Sequence, residues 1–135
     1  MQLLAFDYGL KNIGAATGQS LIGTATPLPP LKARDGVPNW EQVEKLLKEW
    51  RPGLVLVGLP LNMDDSESEL SARARKFANR LHGRFGVAVE MVDERLSSFE
   101  AKGEVMARGG SRDYGKNPVD SIAARLILET YLNSR

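Results

Sequence analysis

The chain has 135 residues, 42% of them hydrophobic, which is long enough for one domain with a sizeable core. Its 18 basic and 17 acidic residues leave a formal charge of +1, so any affinity for polyanions must come from segregated rather than net charge. With no cysteine, the chain can form no disulfide, thiol nucleophile or thiolate-bound zinc site, and a reducing cytoplasm is its expected setting.

Read along the chain, Met1 to Phe6 is apolar but broken by Asp7, too short for a signal peptide or a membrane span, so neither export nor a membrane is expected. Leu3 to Phe6 and Ile13 to Thr17 read as strands joined by a turn containing Gly9 and Asn12, a predicted hairpin. Thr24 to Leu28 is a third strand, and the proline-rich stretch Pro27 to Pro38 reads as a connection. Asn39 caps a helix whose stripe is Trp40, Val43, Leu46, Leu47 and Trp50, ended by Pro52-Gly53. Leu54 to Val57 follows as a buried strand. Ser66 and Glu69 have capping-box spacing and open a helix with Leu70, Ala74, Phe77 and Leu81 on one face, stopping near Gly83. Val87 to Val92 is the next strand. Ser97 to Glu100 starts another helix that fails at Gly109-Gly110, and Asn117-Pro118 opens the last. The order β-β-β-α-β-α-β-α-α predicts a single α/β domain over 1–135 with a mixed sheet of about five strands, parallel where strands and helices alternate.

Three acidic spots fall where apolar elements end or begin: Asp7, the pair Asp93-Glu94, and Asp120. A carboxylate beside buried sequence is costly unless it is paired or holds a cation. Converging at one sheet edge, the three would suit hard divalent metals, which prefer oxygen ligands. Each also has a plainer reading. Asp7 can start a turn, Asp93-Glu94 can pair with Arg95, and Asp120 can favour a helix macrodipole. The helical face argues for more than a dipole partner, because Asp120 is in phase with Ala123, Ala124, Ile127, Leu128 and Tyr131, with Ile122 out of phase. Basic signals accompany these acids. Arg73, Lys76 and Arg80 share one face of the Ser66 helix, and the segment Arg108 to Lys116 is glycine-rich and basic, reading as a loop that leads to Asp120. Asn62 follows a buried strand within reach of a cleft. His82, the sole histidine, falls at a helix end and reads as a cap rather than a ligand.

The segments Leu4–Gly9, Val57–Asp64, Ala72–Ala78, Val92–Ser97 and Val119–Ala124, in this order along nearly the whole chain, resemble the YqgF (RuvX) family. That resemblance implies a ribonuclease H-like α/β fold, a five-stranded mixed sheet with helices on both faces, related to the RuvC-type junction resolvases. It implies a nuclease trimming the 5′ end of pre-16S ribosomal RNA, with Asp7, Glu94 and Asp120 as metal-binding carboxylates and Asp93 the alternate to Glu94. Mg²⁺ or Mn²⁺, two ions about 4 Å apart, would be the cofactor. Asn62, Arg73, Lys76, Arg80, Arg95, Arg112 and Lys116 are the expected substrate contacts. The partners implied are a ribosomal RNA precursor or pre-ribosomal particle, with branched DNA the alternative. The chain departs from the family's pattern at Asn12, often basic there, and at Lys116-Asn117-Pro118, where a lysine-rich run is usual.

Two other classes share parts of this pattern. An actin-like phosphotransfer domain also uses an Asp-x-Gly turn, but generally as one of two such domains. A silent assembly factor would keep the RNA-binding face without turnover. No apolar stripe remains after the core is assigned, so a monomer or weak dimer is expected.

Overall fold

The computed structural model describes residues 1–21, 23–59, 69–93 and 119–133. Two short apolar runs form the predicted hairpin: β1 (Gln2–Asp7) pairs antiparallel with β2 (Asn12–Gln19). β3 (Thr24–Arg34) continues the meander and β4 (Val37–Pro38) turns back on it. After helix α1 (Trp40–Trp50), β5 (Leu54–Leu59) joins the other side of β1 in parallel. Helix α2 (Glu69–Phe85) leads to β6 (Val89–Asp93), parallel to β5, and α3 (Val119–Asn133) is the last described helix.

Among the described residues the sheet has six strands in the order β4-β3-β2-β1-β5-β6, one more than expected. The difference lies in the proline-rich stretch, which is strand rather than connection. Among the described residues β4 pairs only with Ala33 and Arg34, so the rest of β3 is an edge, where proline is tolerated. Ile13 pairs with Leu31 but Ala15 with Leu28, so two residues, Pro29 and Pro30, oppose the single Gly14 in a bulge.

Side chains alternate between two packed layers. Leu4, Phe6, Tyr8, Val55 and Val57 face α1 and α2, joined by Val43, Leu47, Ala74, Phe77 and Leu81. Phe77 is the hub of this layer, its ring 5.7 Å from Phe6, 5.3 Å from Tyr8 and 5.9 Å from Trp40. Leu3, Ala5 and Leu56 face the other way, with Ile127, Leu128 and Tyr131 of α3. Helices thus cover both faces of the sheet.

Asn39 caps α1 as predicted, accepting from the Glu41 N–H at 3.0 Å. The helix closes at Arg51 in a left-handed conformation, with its N–H donating to Leu47 O at 2.8 Å, one residue before Pro52. α2 runs past Gly83 to Phe85, where Gly86, at φ 68, closes it through a bond from its N–H to His82 O at 2.9 Å. α3 is buried more widely than a single stripe: Ile122 is 2% exposed, although it falls out of phase with Ala123 and Ile127. The capping box at Ser66, the helix expected from Ser97 and the loop Arg108 to Lys116 lie outside the described residues. Among the described residues no helix is long and apolar enough to cross a membrane.

Candidate functional site

Three parallel strands end on the same side of the sheet. Phe6, Val57 and Met91 lie in one row, so Asp7 follows at the end of β1 and Asp93 one row further on at the end of β6. β5 lies between them, so these two strands are not neighbours, and their axes are ~10 Å apart, two strand spacings. That is the crevice beyond the carboxyl ends of parallel strands where α/β proteins bind ligands. Asp7 is half-buried and shares the face of Leu3 and Ala5, the face covered by α3. Asp120 is the second residue of α3, three and four positions before buried Ala123 and Ala124. Glu94, Asn62, Arg95, Arg112 and Lys116 lie outside the described residues, and among those described no three acidic or histidine side chains cluster around a metal-sized site. The predicted donor set is all oxygen. His82 is occupied elsewhere, its Nδ1 3.0 Å from Val87 O, in keeping with a capping role.

Arg73, Lys76 and Arg80 do come together, along one wall of a cleft of ≈ 270 Å³. The opposite wall was not visible as a site in the sequence: Tyr8, the Asp35-Gly36 turn and Trp40. Asp35 and Gly36 have φ of 49 and 81, the positive pair that a two-residue type I′ hairpin turn requires. The Asp-Gly dipeptide was the signal for that turn. Tyr8 Oη donates to Gly36 O at 2.7 Å. Arg73 donates to both the carboxylate and the carbonyl of Asp35 at 3.2 Å and to Glu69 at 3.4 Å. Burial pushes the Tyr8 phenol above its ordinary value, and the hydrogen bond from Arg73 to Asp35 raises the guanidinium's own. Arg84 lies over the Trp40 ring, 4.5 Å from its centre.

A hairpin-fed mixed sheet, with two of its three parallel strands ending in acids and helices on both faces, is the ribonuclease H-like fold of the RuvC-like resolvases. The resolvase of Fowlpox virus, solved with Holliday junction DNA, matches over 99% of this chain and 98% of its own at TM-score 0.61 and 18% identity. RuvC of T. thermophilus, in complex with a Holliday junction substrate, matches over 99% and 96% at TM-score 0.55 and 18% identity. The model of the RuvX family, described as Holliday junction resolvase, matches residues 1–134, and the chain belongs to that family, whose chemistry is phosphodiester hydrolysis. It is also 65% identical over 130 residues, 96% of this chain and 91% of the relative, to the Marinobacter nauticus protein named "Putative pre-16S rRNA nuclease".

Proposed function

We propose that this protein is a metal-dependent nuclease that processes the 5′ end of pre-16S ribosomal RNA in the cytoplasm, acting as a monomer or weak dimer. The observation that supports the reading is that β1 and β6 end in Asp7 and Asp93 at one carboxyl edge of the sheet, in a chain of this family. Glu94 is the proposed ligand, with Asp93 its alternate. Asp120, in the first turn of α3, is the third proposed carboxylate.

Asp7, Glu94 and Asp120 would hold Mg²⁺ or Mn²⁺, since carboxylate oxygens without sulfur or imidazole suit hard cations. The metal would supply water activation and charge neutralisation at the leaving oxygen. The chain's own part is to fix the carboxylates and to grip phosphates, with Arg73, Lys76 and Arg80 on α2 and Asn62, Arg95, Arg112 and Lys116 as further candidates. The rival reading, junction DNA as substrate, rests on the family's description. Paired cuts across a four-way junction need two sites in fixed relation, hence a tight dimer.

Asp7→Asn separates these claims from a structural role. Removing one like charge from an acidic cluster should abolish cleavage while apo stability holds or rises. Unfolding of the variant, or normal cleavage with Mg²⁺, would sink the three-carboxylate site. Sedimentation alongside cleavage of matched precursor RNA and junction DNA decides the substrate: a tight dimer making symmetric junction cuts and ignoring RNA overturns the ribosomal reading.

A further inference from the structure

We infer that the cleft between the Asp35-Gly36 turn and α2 is a subsite for a terminal phosphate monoester of the nucleic-acid strand. The inference rests on the nuclease reading for its substrate class, but its evidence is separate. Arg73 is paired by Asp35 across the cleft and by Glu69 beside it, which leaves Lys76 and Arg80 as two cations on the lining with no such partner among the described residues. Lys76 and Arg80 are exposed, and no carboxylate among the described residues pairs with either. Like charges crowded on one helix face repel, so the empty arrangement carries a standing cost that a bound anion relieves. An internal phosphodiester brings one negative charge, whereas a phosphate monoester brings ≈ −1.5 to −2 near neutral pH, the better match.

Size and rigidity agree with that choice. At ≈ 270 Å³ the cleft is below the ~300–1,000 Å³ of drug-sized sites, room for a phosphate and its sugar rather than a run of bases. Its far wall is tied down by the buried bond from Tyr8 Oη to Gly36 O, which does not involve the ligand-facing cations. Asp35 meanwhile occupies the Arg73 guanidinium much as a phosphate oxygen would, so an entering phosphate competes with it. Tyr8 also ties the cleft to the acidic edge, because it directly follows Asp7 and faces the opposite layer. A strand end held here would pass round the end of β1 toward the carboxylates.

The test is binding of short single-stranded RNA oligonucleotides that differ only at their ends, 5′-phosphate, 3′-phosphate or hydroxyl at both, measured by fluorescence anisotropy in EDTA so that nothing is cleaved. The wild type should prefer one phosphorylated end over the hydroxyl oligonucleotide by roughly tenfold, the size of one charge-assisted hydrogen bond. K76Q/R80Q, with both changes at exposed positions, should lose that preference and keep its melting temperature. D35N, which keeps a residue tolerant of positive φ, should enlarge it. Equal affinity for all three oligonucleotides, or a preference that survives in K76Q/R80Q, overturns the subsite. Since no metal is present, a failure of the nuclease reading would appear in cleavage assays and leave this preference intact.

Discussion

Gly36→Ala would break the turn that walls the basic cleft, and the size of the effect follows from its surroundings. At φ 81 an added Cβ meets Tyr8 Oη head-on and lies 3.2 Å from Tyr8 Cζ and 3.3 Å from Leu10 Cδ2. A left-handed conformation costs an L-residue ~1–2 kcal/mol. Expelling the phenol forfeits the bond to Gly36 O, about 1 kcal/mol more. A loss of roughly 2–3 kcal/mol should lower Tm by on the order of 6–15 °C in a chain of this length. The clash can be isolated by a double-mutant cycle read by urea unfolding. Tyr8→Phe alone costs about 1 kcal/mol, but in its background Gly36→Ala meets no hydroxyl and retains mainly the backbone strain. The double variant should therefore lose about 1 kcal/mol less than the two single losses together. Additivity within ~0.5 kcal/mol would refute the packing argument.

Two further outcomes follow from the same cleft. Because Arg73 is already engaged by Asp35 and Glu69, replacing Lys76 and Arg80 together by Ala should flatten the log-log salt dependence of single-strand RNA affinity by about 1.4 units, two contacts at ~0.7 each. An unchanged slope would assign them to a solvated surface. Burial raises the folded-state value for the Tyr8 phenol, so the unfolded chain gives up that proton first as pH rises. The contribution of Tyr8 to stability is intact below about pH 10 and declines as pH climbs through the raised value, a decline that Tyr8→Phe should remove in metal-free protein. Parallel wild-type and variant stability curves above pH 10 would contradict it.

Local signals proved reliable where one element decides its own conformation. The hairpin of β1 and β2, the Asn39 cap and the stripe of α2 are all contained within a few residues, and the structure has them as the sequence predicts. The proline-rich stretch misled because proline is read as a breaker, and only the pairing of its neighbours decides whether a missing N–H matters. Ile122 misled because helical phase assumes one buried side, while α3 packs across β1, β2 and β3. Within the candidate site, the acids were visible as isolated charges at apolar boundaries, but the β5 strand that separates β1 from β6 was not, since strand order is set by long-range packing. The cleft opposite α2 was invisible for a related reason: Tyr8 and Gly36 are 28 residues apart and meet only in the folded chain.

The bulge and short partner of β3 bear on how this protein behaves among its neighbours. A free sheet edge is a template on which another chain can add a strand. Here β3 carries Pro27, Pro29 and Pro30 within four residues, none with an N–H to offer a ladder, and the bulge at Pro29-Pro30 twists the strand further. An extended segment of a second copy, or of a half-folded chain emerging nearby, would find no continuous ladder there. The prolines act as a guard against polymerisation, and their removal would be felt first in crowded solution, as turbidity, before any loss of the folded monomer.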